Sequence, residues 1–200
     1  MRTLVIETAT EACSAALFEG GELVAGVYEI LGRGHAERLV PMIAELPGKG
    51  LAQRISVSLG PGSFTGVRIG VAAARALGLA WQAEVLGYPT LALVAAMARQ
   101  ARPGPVTVCM TGGHGEWFVQ DFAADGLPET KALSLPPDAA KNRPRHPVVT
   151  GSRAAELAGA EGIAIELLPD ARRFALLPPP LLTMDLAPLY GRPPDARLPA

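Results

Sequence analysis

The chain has 200 residues, of which 49% are hydrophobic and 18% charged, and its formal net charge is −1. A chain of this length and composition can bury a large core, which excludes a disordered chain and a small domain that depends on disulfides. With only three lysines among 18 basic residues, the chain lacks the surplus of cations that would hold a nucleic acid without a partner.

Three short apolar runs near the amino end predict consecutive antiparallel strands at residues 4–6, 15–18 and 23–27. Residues 19–22 separate the second run from the third and include two glycines, which permit the tight turn of a hairpin. After Gly34 the apolar residues adopt helical spacing, which predicts a helix that starts near His35. Its apolar stripe consists of Leu39, Met42, Ile43 and Leu46.

The next stretch of sequence alternates strand and helix patterns. The predicted elements lie, in order, at residues 55–59 (strand), 60–66 (glycine-rich loop), 67–81 (helix), 85–86 (strand) and 90–102 (helix). Thr90 is expected to cap the last of these helices. Together with the three amino-terminal strands and the helix at His35, they predict an α/β lobe.

The composition changes after Pro103, since 13 of the 19 prolines lie at or beyond Pro128. We therefore expect a first lobe at residues 1–102 and a smaller second lobe at 103–200. The elements predicted in the second lobe are paired strands at 106–110 and 117–122, a strand at 148–150 and a helix at 154–158. The proline-rich tail from Pro178 is expected to be extended, with short turns.

The loop from Gly60 to Gly66 is a candidate ligand site, because glycines before a helix let backbone amides converge on an anion. It does not match a Walker loop, since Val67 and Arg68 follow the last glycine. Thr65 stands where the dinucleotide fingerprint needs a glycine. The alternative interpretation is structural, with Thr65 as the helix cap and the glycines permitting a sharp turn.

A second candidate feature lies where the first strand ends. Glu7, Thr8 and Thr10 offer one carboxylate and two hydroxyls, which suit a magnesium and phosphate corner. The alternative is a turn that pairs with its own backbone. The candidate phosphate-binding set is therefore Glu7, Thr8, Thr10, Gly60, Gly62, Ser63 and Thr65.

Small residues recur at every fourth position of the long helix, at Gly66, Gly70, Ala74 and Gly78. One face of the helix therefore has almost no side chains, and another element can approach it closely. Two arginines, Arg68 and Arg75, share a different face. Either the helix is buried in the core of its own lobe, or an apolar face meets a second protein chain.

The histidines and cysteines do not combine into a reactive site. His35 starts the first helix, but Leu39 stands one turn later, where a second metal-binding histidine would be needed, so we expect no metal. Cys13 and Cys109 are too few for a secreted disulfide framework, and we expect a reducing, cytoplasmic environment. No apolar run reaches the roughly 18 residues that a membrane span requires.

Three segments together resemble one known family. They are residues 8–14 (Thr-Ala-Thr-Glu-Ala-Cys-Ser), 35–42 (His-Ala-Glu-Arg-Leu-Val-Pro-Met) and 60–70 (Gly-Pro-Gly-Ser-Phe-Thr-Gly-Val-Arg-Ile-Gly). In this order they closely resemble the TsaB (YeaZ) family, the accessory subunits of the bacterial machinery that makes threonylcarbamoyladenosine in tRNA. The resemblance covers nearly the whole first lobe, and residues 187–190 resemble the family's closing Pro-x-Tyr segment.

The resemblance implies an α/β fold similar to actin, Hsp70 and sugar kinases (the ASKHA fold), with two lobes on mixed sheets and a reduced second lobe. It also implies a partner, the catalytic paralogue TsaD. The equivalent helix of TsaD carries a His-x-x-x-His metal motif, which His35 and Leu39 do not reproduce. The ATPase TsaE is expected to join the complex, and no cofactor is expected on this chain, with ATP and metal on the partner subunits.

In this family the first two helices of each subunit form the interface with TsaD. The resemblance therefore implies that apolar and small residues of these helices contact the partner. The expected interface residues are His35, Leu39, Met42, Ile43, Leu46, Gly66, Arg68, Gly70, Ala74, Arg75 and Gly78.

The chain departs from the family pattern at two places. Glu7 stands where the family usually has aspartate. Residues 111–116 replace a usual Asp-Ala-Arg-x-x-Glu stretch and keep only Glu116. Both departures count against a nucleotide site in this chain, and neither affects the expected interface.

The leading hypothesis is a non-catalytic scaffold that binds TsaD and holds it in an active conformation. The alternative is an ATP-dependent small-molecule kinase or carbamoyltransferase of the same fold, based on Glu7, Thr8 and the glycine-rich loop. A peptidase, the third hypothesis, lacks a metal pair or a nucleophile. We expect no strong binding of tRNA by the chain alone, and the free chain is expected as a monomer or as a two-fold homodimer joined through the same apolar face.

Overall fold

The structure, a computed structural model, describes residues 1–191 of the chain. Its first sheet has the strand order β3-β2-β1-β4-β5, with the strands at Arg2–Glu7 (β1), Ala12–Glu19 (β2), Glu22–Ile30 (β3), Arg54–Ser58 (β4) and Glu84–Tyr88 (β5). Strands β1, β2 and β3 pair in antiparallel fashion, which confirms the predicted meander. Strand β4 pairs parallel to β1, and β5 pairs parallel to β4.

Helices cover both faces of the first sheet. They are α1 (His35–Ala44), α2 (Phe64–Trp81) and α3 (Thr90–Ala101). Leu4 and Ile6 point toward α1 and α2, whereas Val5, between them in β1, packs in the core that contains α3. Because successive residues of a strand face opposite sides, β1 is buried on both faces.

The structure corrects both predicted helix caps. Helix α2 begins before residue 67 because Ser63, and not Thr65, caps it: the Ser63 hydroxyl accepts a hydrogen bond from the Gly66 amide at 3.2 Å. Helix α3 has Pro89 at its cap position, and the buried Thr90 hydroxyl has no partner among residues 1–191.

The second sheet also has five strands, in the order β10-β9-β6-β7-β8. They lie at Val106–Thr111 (β6), Trp117–Phe122 (β7), Leu133–Leu135 (β8), Val148–Thr150 (β9) and Ile163–Ile165 (β10), with helices at Pro137–Asn142 (α4) and Ala154–Ala158 (α5). The predicted antiparallel pair β6 and β7 is confirmed, as are β9 and α5. Strands β8 and β10 and helix α4 were not expected from the sequence.

The two lobes share a buried core at α3. This helix contacts β6, and its buried side chains pack together with residues from both sheets. Later in the chain, a 3₁₀ segment at Ala171–Leu176 returns to the first lobe and contacts β1, β2 and β3. The division into 1–102 and 103–200 therefore stays a prediction, since segments on each side of residue 102 pack against the opposite sheet.

The carboxyl-terminal tail is extended, with a 3₁₀ turn at Pro179–Leu181, as predicted for the part that is described. The same prediction for residues 192–200 lies outside the described residues. From residue 1 to residue 191, no helix has both the length and the apolar character that a membrane crossing requires.

Candidate partner-binding face and interlobe cleft

Helix α1 turns its apolar stripe toward its own sheet. The side chains of Leu39, Met42, Ile43 and Leu46 are between 0% and 4% exposed and belong to the core of the first lobe. Side chains buried in this way stabilise their own lobe and have little surface left for another subunit. The partner role of these four residues therefore stays a prediction, and the structure does not support it.

His35 also serves the fold of its own lobe. It is 7% exposed, and its Nε2 lies 3.3 Å from the backbone oxygen of Ala12 in β2. This contact ties the start of α1 to the neighbouring strand, although His35 also lines the cleft between the lobes.

The small-residue stripe of α2 lies against the first sheet and not against a second chain. A Cβ atom at Gly66 would overlap the Thr8 backbone oxygen, and one at Gly70 would overlap the Thr8 hydroxyl. At Gly78 it would overlap the Val85 side chain of β5, and Ala74 is fully buried. The stripe therefore allows the helix to lie directly on its sheet, which favours the interpretation of a helix buried in its own lobe; a role of the stripe in a partner interface stays a prediction.

The opposite side of α2 is exposed. We define the outer face as the exposed residues Phe64, Arg68, Ala72, Arg75, Ala76 and Leu79 of α2 together with Ala36, Val40 and Ala44 of α1. Phe64, Leu79 and Val40 are 55%, 85% and 61% exposed. Of the expected interface residues, only the two arginines lie on this face; its apolar members were missed, although their four-residue spacing is visible in the sequence.

The glycines of the 60–66 loop serve close packing. A Cβ atom at Gly62 would overlap the Ala9 backbone oxygen. The Ser63 amide donates to that same oxygen at 2.7 Å, and the Thr8 hydroxyl donates to the Gly66 carbonyl at 2.7 Å. The loop is thus held against the residues that follow β1, which favours the structural interpretation of its glycines.

Glu7 and Thr8 are fully buried, and neither lines the cleft between the lobes. The Glu7 carboxylate accepts a hydrogen bond from the Ala9 amide at 2.8 Å and one from the Tyr88 hydroxyl at 3.3 Å. Thr10 accepts from the Ala12 amide at 3.2 Å, as in a turn. Neither side chain opens onto the cleft, which favours the alternative of a turn that pairs with its own backbone; the magnesium or phosphate role of Glu7 and Thr8 stays a prediction.

The environment of Glu7 changes its acidity. Burial raises the pKa of its carboxyl group to about 7, although the hydrogen bond from the Ala9 amide opposes this rise. The pKa of the neighbouring Tyr88 hydroxyl is also raised, by burial and by the nearby Glu7. The first lobe therefore contains a buried carboxyl group that titrates near neutral pH.

A cleft of about 1250 Å³ separates the two lobes. The starts of α1 and α2, the segment 111–114 and residues 189–191 line it. From the candidate phosphate set, it contains Thr10, Gly62, Ser63 and Thr65 but not Gly60. Charged residues of both signs lie along its wall, namely Glu11, Arg33, Glu37 and Arg68.

Within residues 1–191, no group of three His, Cys, Asp or Glu side chains comes close enough together to hold a metal ion. Cys13 and Cys109 are both fully buried, and burial is the main cause that raises the pKa of each thiol above its usual value.

Comparison with known proteins identifies similar sequences. Residues 26–133, just over half of the chain, match the family model described as TsaD, tRNA N6-adenosine threonylcarbamoyltransferase. The chain is 41% identical over 131 residues to the tRNA threonylcarbamoyladenosine biosynthesis protein TsaB of Escherichia coli, covering 62% of this chain and 56% of that protein. It is 42% identical over 103 residues to the TsaB of Haemophilus influenzae, covering 49% and 42%. The chain spans about half the length of these curated relatives.

A solved structure is similar over most of the chain. YeaZ from Pseudomonas aeruginosa matches with a TM-score of 0.72 and 29% identity, covering 86% of this chain and 87% of that one. This match and the two mixed sheets confirm the expected fold class, the two-lobed α/β fold of YeaZ. The second lobe is the reduced one, since three of its five strands have only three residues.

Proposed function

We propose that the chain, which belongs to the family of the tRNA N6-adenosine threonylcarbamoyltransferase model and is similar to curated TsaB proteins, is a non-catalytic TsaB-type subunit of the complex that makes threonylcarbamoyladenosine in tRNA. In this proposal it binds the catalytic paralogue TsaD and holds it in an active conformation. TsaE joins the assembly, which works in the cytoplasm.

The observation that carries the proposal is the outer face. Its residues extend along α1 and α2, which contact each other, and its large apolar side chains are more than half exposed. Exposed apolar residues that recur at helical spacing along two neighbouring helices are typical of a protein interface. A partner helix that packs there would remove Val40, Phe64 and Leu79 from water.

The role of α1 in its own lobe supports a non-catalytic subunit. His35 is used to hold the helix to β2, and Leu39, one turn later, is buried in the core. This inner side of α1 therefore stabilises the lobe and lacks the second histidine that a metal pair would need. The alternative of a kinase or carbamoyltransferase rested on Glu7, Thr8 and the glycine-rich loop. The cleft contains part of the loop but neither Glu7 nor Thr8, and no other observation favours this alternative, so we do not propose it.

Reconstitution tests the proposal directly. TsaD is assayed for threonylcarbamoyladenosine in tRNA, by mass spectrometry, with and without this chain. We expect modification only when both proteins are present. Full activity of TsaD without the chain, or activity of the chain alone, would contradict the proposal.

Two variants test the outer face. Leu79→Asp and Val40→Asp place a charge on it without entering the core, so we expect the chain to stay folded and to lose TsaD in co-elution. The matched control is Leu133→Asp, which places the same charge at an exposed leucine of β8 in the other lobe. If Leu79→Asp and Val40→Asp still co-elute with TsaD as the control does, the surface is assigned wrongly.

A further inference from the structure

Residues 183–191, which we call the strap, run along the first sheet toward the cleft, after the chain has returned to the first lobe at Ala171–Leu176. Thr183 and Gly87 of β5 exchange both backbone hydrogen bonds, at 2.7 and 3.0 Å. Further along, the Leu189 amide donates to the Leu59 carbonyl at 2.7 Å. The strap therefore runs past the carboxyl ends of β5 and β4 and reaches the start of α2.

An aromatic contact anchors the end of the strap to α2. The rings of Tyr190 and Phe64 lie with their centroids 5.7 Å apart. The Arg68 guanidinium lies 3.6 Å from the centre of the Phe64 ring and donates to the Tyr190 hydroxyl at 3.3 Å. These three side chains join the strap to the first lobe at the mouth of the cleft.

The next residue of the strap touches the other lobe. Gly191 packs so closely on Phe118 of β7 that a Cβ atom at residue 191 would lie 2.5 Å from the Phe118 ring. Leu189, Tyr190, Gly191 and Phe118 all line the cleft. Tyr190 thus contacts the first lobe, and the next residue, Gly191, contacts the second lobe across the cleft.

The two ends of the interlobe contact differ in burial. Around α3 the lobes share side chains such as Tyr88, Leu91 and Phe122, each at most 1% exposed. At the strap the two rings in contact are 55% and 48% exposed, for Phe64 and Tyr190. The contact around α3 is therefore suited to stay closed as a hinge, whereas the strap contact can open without exposing a core.

We propose that the strap is a latch: Tyr190 on the first lobe and Gly191 on the second hold the mouth of the cleft closed, and release of Tyr190 opens the cleft about α3. The latch controls access to the cleft walls, including the exposed first turn of α2. The inference concerns the free chain and does not depend on the proposed function.

Distance measurement by spin labelling tests the latch in the full chain. Because Cys13 and Cys109 are fully buried, labels are directed to Thr65→Cys on the first lobe and Gly113→Cys on the second, which both line the cleft. A Cβ atom at Gly113 meets no other group, so the label fits there. We expect one narrow distance distribution in the otherwise unchanged chain and a second population at longer distance after Tyr190→Ala.

Two further variants make the result decisive. Gly191→Val places a side chain against Phe118 and should produce the same longer population from the side of the second lobe. Tyr28→Ala is the matched control, since it removes the same side chain from another arginine contact, with Arg172, on β3. The proposal is overturned if folded Tyr190→Ala and Gly191→Val keep the original distribution, or if Tyr28→Ala changes it equally.

Discussion

The two sides of α2 both carry small and apolar residues, but one side is buried and the other is exposed. On the inner side, Gly66, Gly70, Ala74 and Gly78 are buried on the first sheet. On the outer side, Ala72, Ala76 and Leu79 are equally apolar and are exposed. An apolar helical pattern therefore predicts that a face is covered, but not whether the chain's own sheet or another molecule covers it.

The largest expected effect separates the buried side of α2 from its exposed side by placing a leucine on each. Gly70→Leu forces a side chain into the Thr8 hydroxyl and Val57, and we expect it to lower the free energy of unfolding by about 3 kcal/mol, the upper end of the usual cost of overpacking. Ala76→Leu makes a comparable change on the outer side and should alter it by less than about 0.5 kcal/mol. Urea unfolding followed by circular dichroism measures both, and equal losses would remove the distinction between the sides.

The second prediction concerns the other buried surface of the first sheet, where Glu7 lies. Because its pKa in the folded chain, about 7, is above its ordinary value of 4.5, the protonated carboxyl favours the fold. This contribution is fully present below about pH 4.5 and is lost as the pH rises through about 7. Glu7→Gln should therefore be more stable than the unchanged chain at pH 8, by up to about 3 kcal/mol, and similar to it at pH 4.5.

Urea unfolding at pH 4.5, 6 and 8 measures this effect. The control is Glu22→Gln, which makes the same change at an exposed position of β3 and should leave the pH profile unchanged. Parallel profiles for Glu7→Gln and the unchanged chain would show that the buried carboxyl does not set the pH dependence.

The third prediction concerns the start of α2, where the two sides meet. Ser63→Ala removes the oxygen that accepts from the Gly66 amide, and we expect a loss of about 1 kcal/mol in the free energy of unfolding. Thr65→Ala is the matched control, because Thr65 is exposed and does not cap the helix. If Thr65→Ala costs as much as Ser63→Ala, the cap is assigned wrongly.

The smallest expected effect on stability belongs to the outer side. Leu79→Asp should change the free energy of unfolding by less than about 0.5 kcal/mol, because the leucine is 85% exposed in the chain alone. Leu39→Asp, on the inner side of α1, should prevent folding, because it buries an unpaired charge. A Leu79→Asp chain that fails to fold would place Leu79 in the core.

The first lobe follows closely from its sequence, because its strands and helices are long enough to show a period. The second lobe does not: β8 and β10 have only three residues each, too few for alternation to be recognised. Helix α4 buries only Ala140, so it has no apolar stripe. For the candidate partner-binding face, the sequence predicts helices α1 and α2 but not their orientation. Residue spacing defines two apolar faces on each helix, and it does not say which of them packs on the sheet.

The bridge between Thr183 and Gly87 has a consequence for the sheet that it borders. An unpaired edge strand can act as a template for another chain, which is a route to aggregation. The strap occupies part of the free edge of β5 with the chain's own backbone. A shortened protein that ended before Thr183 would therefore expose this edge, and its solubility would depend on how well charged neighbours such as Glu84 repel incoming strands.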